Sequence, residues 1–303
     1  MLPKVKLIRA LQSDFLRRRA ERSYDAESMA VSARLLEINP EVFTAWNFRR
    51  EAIVAGVDAV DARARPPLAD ELTLTEKTLK KNPKSYPSWY HRKWTISRMV
   101  DEADARADVA ARDATLAREL VLVERLLDAD DRNFHCWGYR RFVAALAKVP
   151  DADELEFTTK KIEANFSNYS AWHHRSAYLP RVHGRGGGGS LGEGGEEKRE
   201  KREDETENEN DAPPPSSSLP PDVLRAEYEL VQNAFFTEPE DQSGWMYHRW
   251  LLRNTMSTST SSAGDDAKSD ATAIRETLAR EAALCRELRC VIYTGSHTTA
   301  FAW

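Results

Sequence analysis

The chain has little of what most self-contained enzymes carry. Of its 303 residues only three are cysteines, Cys136, Cys285 and Cys290, an odd number with no CxxC spacing. That excludes a disulfide framework and reads as reduced thiols of a cytosolic protein. No apolar run approaches the ~20 residues of a membrane span. The start has no secretory apolar segment and the end no CaaX box, so the expected location is cytoplasmic. HExxH, GxSxG and paired cysteines are missing. The glycine run 186–189 has no strand before it and no Lys-Ser/Thr after it, so it is no phosphate loop. His173 and His174 are adjacent, about 100° apart on a helix, which makes them poor joint metal ligands. The net charge of −5 supplies no positive field and argues against nucleic acid as the main partner.

What is present is a repeat. Asn82-Pro83-Lys84-Ser85-Tyr86-Pro87-Ser88-Trp89-Tyr90-His91-Arg92 returns around Trp46 and Arg49, Trp137 and Arg140, and Trp172 and Arg175. Each of these four copies has an aromatic three residues before the tryptophan and an arginine three after it. A fifth copy around Trp245 is looser, with Gln242 in the aromatic place and its arginine one position late. The four tryptophans lie 43, 48 and 35 residues apart, the size of a helix–turn–helix unit. The expected fold is therefore all-α, a solenoid of helical hairpins.

Each unit begins with an amphipathic stretch, over 25–38, 70–81, 114–128, 153–164 and 222–236. Asn-Pro or Asp-Asp then ends the helix, because proline cannot continue it and restrains the residue before it. Ser85, Asn133 and Asn168 stand where the second helix needs an N-cap, and Pro87 suits its first turn. The tryptophan should bury a large apolar area against the preceding helix, with the aromatic three before it on the same side. The arginine should bond carbonyls left open where the first helix breaks. The Trp–Arg pair thus reads as structural.

Residues 1–23 form a basic amphipathic leader helix, expected to be solvated. Repeats 1 to 4 occupy 24–183 and repeat 5 occupies 222–254. Between them, 184–221 is glycine-, charge- and proline-rich, a disordered insertion. A flexible loop over 255–272 precedes 273–303, a partial sixth repeat that ends at Trp303 as though truncated. The inter-helix turns carry Lys84, Arg132 and His135, which a solenoid places side by side on one rim. Helix N-termini with such side chains suit a phosphate-bearing ligand, although exposed loop charge explains the pattern as well.

The W-x-x-R repeat with Asn-Pro-x-x-Tyr ahead of it resembles that of the protein prenyltransferase α-subunit family, over roughly 24–254 without the insertion. Asp131-Arg132-Asn133-Phe134-His135-Cys136-Trp137, with Tyr139-Arg140-Arg141-Phe142-Val143-Ala144 after it, is very near the third repeat of the family's type II branch, which geranylgeranylates Rab GTPases. Asn165-Phe166-Ser167-Asn168-Tyr169-Ser170, and Tyr247-His248-Arg249-Trp250-Leu251-Leu252, resemble the fourth and fifth. The resemblance implies a crescent-shaped, right-handed superhelical solenoid wrapped around a β subunit that holds the zinc and most of the lipid pocket, leaving no metal in this chain. It implies geranylgeranyl diphosphate as the lipid donor, and a Rab escort protein that presents the Rab GTPase. It places the family's catalytic lysine on Lys84 and a diphosphate-contacting histidine on His135. Tyr86 is a further candidate for the same wall, with packing as its alternative role.

Two other readings compete. The shared α subunit of the CaaX farnesyl- and type I geranylgeranyltransferases has a glutamine two residues before the second tryptophan, to read the substrate carboxylate. Here that residue is Pro87, which has no side-chain donor. A non-catalytic scaffold of tetratricopeptide type would keep a period of about 34 and need no Trp-x-x-Arg. Gly138, where the family usually has an acidic residue, and the long insertion are departures from the pattern.

Overall fold

The computed structural model describes residues 3–57, 67–184, 219–257 and 265–298. Among these residues the chain forms twelve α-helices and no strand. They are α1 (Pro3–Ala20), α2 (Ala26–Ile38), α3 (Phe43–Val57), α4 (Leu68–Lys81), α5 (Tyr86–Ala105), α6 (Val109–Ala129), α7 (Phe134–Leu146), α8 (Asp151–Ala164), α9 (Tyr169–His183), α10 (Pro221–Thr237), α11 (Gln242–Ser257) and α12 (Asp265–Thr298). The chain divides into two compact units, Met1–Lys148 and Val149–Trp303.

Within the first unit, hairpins α2–α3, α4–α5 and α6–α7 stack in order. First helices pack on first helices (α2 on α4), and second on second (α3 on α5, α5 on α7). The second unit holds α8–α9 and α10–α11, with α9 on α11 and α12 against α11. This is the all-α repeat architecture expected from the spacing of the tryptophans.

The turns inside the hairpins share one construction. Asn39, Asn82, Asp130 and Asn165 each accept, on the side-chain oxygen, the backbone N–H two residues on. Two residues after that N–H, the second helix begins under a side-chain cap from Ser85, Asn133 or Asn168, as expected. Asp241 does the same for α11 through Ser243 N–H at 2.8 Å. Each tryptophan indole then reaches back six residues and donates to a turn carbonyl, on Pro40, Pro83, Asp131, Phe166 or Pro239, at 2.8–2.9 Å. The tryptophan is therefore a clamp on the turn as well as a buried ring.

Several expectations are corrected. The helix α1 is not solvated all round: Leu11 and Phe15, one turn apart, are buried with Met29, Leu35, Leu36, Trp46 and Phe48. Its apolar stripe covers the open end of the stack, which a terminal repeat needs. The repeat aromatics Phe43, Tyr86, Phe134 and Tyr169 are exposed, not packed beside the tryptophan. Each is the first residue of its helix, and Cα–Cβ bonds tilt toward the N-terminus, so the ring hangs off the helix end. Residues 265–272 are helical where a loop is expected. Leu219 is buried and Pro221 already helical. Leu219 and Leu224 stand at the positions of a hydrophobic staple around the α10 N-terminus. The body of the expected insertion, 185–218, and the segments 258–264 and 299–303 lie outside the described residues.

Candidate functional site

Within each unit a buried polar seam ties successive repeats together. Arg49 makes a two-pronged ion pair with Glu71 of the following first helix, at 2.6 and 2.8 Å. Arg92 does so with Glu119 at 2.7 and 2.8 Å, and Arg175 with Glu227 at 2.6 and 2.7 Å. Each arginine also spends one nitrogen on its own repeat's first helix, at the carbonyl of Met29, Leu72 or Leu155. Those carbonyls belong to the first two turns of α2, α4 and α8, not to the broken C-terminal end, so the expected role for the arginine is revised. The fork geometry of guanidinium and carboxylate makes the match.

A second partner closes each site. Glu71 takes a hydrogen bond from His91 Nε2 at 2.9 Å, and Glu119 and Glu227 take one from the hydroxyls of Tyr139 and Tyr247 at 2.7 Å. His91, Tyr139 and Tyr247 in turn lie against the rings of Trp46, Trp89 and Trp172 of the preceding repeat, at 4.6–5.1 Å. Tryptophan and arginine thus meet the next repeat rather than only their own. Trp137 and Arg140 are buried likewise. Trp245 is half-buried and stacks on Phe235 at 3.8 Å. In that fifth repeat His248, not the displaced Arg249, takes the arginine's place, with Nε2 3.1 Å from Glu281 of α12.

The electrostatics follow from this closure. Burial pushes the Glu71 carboxyl up, but hydrogen bonds from His91 and Arg49 outweigh it and hold the group down at about 2. Burial pushes His91 below its ordinary value of 6.5, and its Nδ1 has no partner among the described residues. A second proton there would find no acceptor, so the neutral ring donates from Nε2 and Arg49 supplies the positive charge. Burial opposes the charge on Arg92 and Arg175, yet their glutamates keep both above the usual arginine range. Burial likewise raises the Tyr139 and Tyr247 hydroxyls well above theirs.

The glutamates escaped the reading of the sequence. They had a signal: Glu71, Glu119, Glu154 and Glu227 each stand eighteen residues before a tryptophan. All four are buried.

The candidate ligand site is the opposite in character. Lys84, Tyr86 and His135 come together where the α4–α5 and α6–α7 turns meet. The turns are tied by Asn133 Nδ2, which donates to the Pro83 carbonyl at 3.0 Å. The Trp89 indole donates to that same oxygen at 2.8 Å, and the Lys84 N–H is held by Asn82 at 3.3 Å. The Lys84 backbone is therefore fixed on both sides while its side chain stays 66% exposed, with Nζ 3.9 Å from Asp130 Oδ2. Tyr86 is 63% exposed and meets the His135 ring edge-on at 4.1 Å. Phe134 lies against His135 at 3.9 Å. Both α5 and α7 begin here, and helix N-termini add partial positive charge. Chemically this is a wall suited to an anion. Pro87 is buried in the first turn of α5.

Among the described residues, no three His, Cys, Asp or Glu side chains gather as a metal-binding group, and no helix is long and apolar enough to cross a membrane.

Comparison with known proteins gives these geometries a family. Five copies of the protein prenyltransferase alpha subunit repeat match residues 25–55, 68–99, 116–146, 151–181 and 224–255. The chain is 39% identical over 249 residues to the human geranylgeranyl transferase type-2 subunit alpha, across 82% of this chain and 38% of that protein. With the Saccharomyces cerevisiae protein of the same name it shares 31% over 251 residues, across 81% of this chain and 64% of the yeast protein. It therefore spans less than two thirds of these relatives' length. Among solved structures, Candida albicans protein geranylgeranyltransferase-I complexed with GGPP has the same fold, with a TM-score of 0.56 at 20% identity, over 82% of this chain and 67% of that one. On five matched repeats and this degree of identity, the chain belongs to the protein prenyltransferase α-subunit family.

Proposed function

We propose that this chain acts as the α subunit of a type II protein geranylgeranyltransferase. With a β subunit it transfers the geranylgeranyl group from geranylgeranyl diphosphate to C-terminal cysteines of Rab GTPases that an escort protein presents, in the cytoplasm. The observation that carries the reading is the corner of Lys84, Tyr86 and His135, in a chain whose relatives bear the type-2 subunit name. A backbone clamped by Asn82, Trp89 and Asn133 sets the lysine at a defined place on an open wall.

In the reaction, the cysteine sulfur forms a bond to C1 of the lipid as the C1–O bond breaks and diphosphate leaves. The Lys84 ammonium stabilises the charge that grows on the leaving oxygens, where a fixed cation counts most. His135 contacts the same diphosphate, oriented by the edge of Tyr86. Zinc, which the family resemblance assigns to the β subunit, would supply a thiolate for the attack. The wall is open on this chain, so the β subunit must cover it to exclude water.

The test is reconstitution. Co-expressed with a type II β subunit and supplied with escort protein, Rab and geranylgeranyl diphosphate, the chain should support transfer. Lys84→Ala should lower turnover on the order of 10²-fold or more while the heterodimer still elutes intact. Unchanged turnover sinks the role given to Lys84. Assembly with a farnesyltransferase β subunit alone would move the chain to the CaaX class.

A further inference from the structure

The inter-helix turns also reach across repeats. In three places the residue five before a tryptophan meets the first turn residue of the next repeat. Asn82 Nδ2 donates to Glu41 Oε1 at 3.1 Å, Lys84 Nζ lies 3.9 Å from Asp130 Oδ2, and the Ser167 hydroxyl donates to Glu238. The acid that faces the candidate site's lysine is Asp130.

Inside its own turn, Asp130 does what Asn39, Asn82 and Asn165 do: a side-chain oxygen accepts the N–H two residues on. An amide oxygen suffices for that bond, so the charge of Asp130 is surplus to the turn. The place is also a poor one for an anion. Asp130 follows α6 directly, where the carbonyl end of the helix is partly negative, and Asp128 and Asp131 stand close by in the chain. The last turns of α4 and α8 carry Lys80, Lys81 and Lys161, whereas that of α6 has no basic residue. The fold thus keeps a negative charge where its own helix opposes one, and sets it beside Lys84. Asp130 is 38% exposed, so an ion at the Lys84 corner can feel it.

We propose that Asp130 sets how tightly the Lys84 corner holds diphosphate, loosening the grip so that the leaving group departs. This deepens the functional reading above and rests on it. Asp130 and diphosphate compete for the same ammonium. A diphosphate that has taken the lysine still has a like charge close by, which repels it. The lipid donor tolerates this, because its geranylgeranyl chain adds apolar contact in the assembled enzyme. Free diphosphate has no chain, so the weakened charge contact is what holds it.

The experiment uses the reconstituted heterodimer with escort protein, Rab and geranylgeranyl diphosphate, and inorganic diphosphate as the inhibitor. Inhibition constants are compared for the unsubstituted chain, Asp130→Asn and the control Glu37→Gln. Asparagine keeps the turn bond, as the three sister turns do, and removes the charge. Glu37 is an exposed carboxylate paired with Lys77. Asp130→Asn should lower the inhibition constant about fivefold at low salt. The gain should shrink as added salt screens it, and Glu37→Gln should change nothing. The melting temperature of the Asp130→Asn chain should not fall, since the end of α6 loses an opposed charge. An inhibition constant equal to the unsubstituted chain's overturns the proposal and leaves the functional reading standing. A raised constant also overturns it, and makes Asp130 a support that places the lysine for diphosphate. An unsubstituted heterodimer that transfers no lipid removes the functional reading, and this inference with it.

Discussion

Arg49 and Arg50 are neighbours on one helix with opposite fates. Arg49 is buried and closes on Glu71, Ser32 and the Met29 carbonyl. Arg50 is half-buried, rests on Tyr90 and leaves its buried Nη1 without a hydrogen-bond partner among the described residues. The contrast extends over the first unit. The seam between repeats satisfies its charges within the chain, and the outward face with the Lys84 corner leaves cations and aromatics available. The seam is complete within the chain.

The largest effect should come from breaking the seam. Glu119→Ala strips Arg92 of its carboxylate and Tyr139 of its acceptor, leaving a buried guanidinium bare. Removing one member of a buried pair costs about 3–5 kcal/mol, so urea denaturation should show a loss of that size. The double change Arg92→Met with Glu119→Leu removes both charges and should recover most of it, because a buried pair gains little over apolar packing. A loss under ~1 kcal/mol for Glu119→Ala would mean that the seam is no more structural than the outer face.

Acid should act next, and on the seam first. Glu71 titrates near 2 in the fold against an ordinary 4.5, and His91 is also depressed from 6.5. Both values lie below those of the unfolded chain. Their contributions are therefore present above the unfolded values and lost as pH falls, beginning below 6.5 for His91 and between 4.5 and 2 for Glu71. For Glu71 this amounts to about 3 kcal/mol. His91→Tyr copies the partner that repeats three and five use, Tyr139 and Tyr247. It should flatten the upper part of the stability profile and leave the lower part, as read by thermal melts from pH 7 to 3. An unchanged slope between pH 6.5 and 5 would show that His91 is not the titrating group.

The difference between seam and face also sets what could be seen in the sequence. Tryptophan at a steady period was visible because it is rare and large, and it led correctly to hairpins, caps and the family. The seam's glutamates were hidden in plain view. A lone acid in an amphipathic helix reads as solvent-facing, and only the constant distance to the next tryptophan betrays Glu71 and Glu119. The same bias misplaced the aromatics: Tyr86 and Phe134 read as core by chemistry, but they begin helices, and a first residue points past the helix end. His248 hid for a different reason, since a search for arginine steps over it to Arg249. The turns of Lys84 and His135 adjoin because a turn is short and the clamped loops repeat, so neighbours in the pattern become neighbours in space.

The smallest effect tests whether a gap in the face is a functional choice or slack. Gly138 sits inside α7, one residue after Trp137, and a Cβ built there meets nothing within 4 Å. Glycine within a helix costs about 0.5–1 kcal/mol relative to alanine, so Gly138→Ala should stabilise the chain by that amount. Gly244 holds the position before Trp245, where an added Cβ comes within 3.3 Å of the Ala234 Cβ and 3.4 Å of the Phe235 ring. Gly244→Ala should therefore destabilise, because α10 or the ring must give way. The two substitutions are chemically identical and differ only in which surface they enter. Opposite signs in their melting temperatures would place Gly138 on the open face and Gly244 in the packed interior. A stabilised Gly138→Ala chain that still assembles with a β subunit at full affinity would further show that the partner does not approach the α7 backbone at that point.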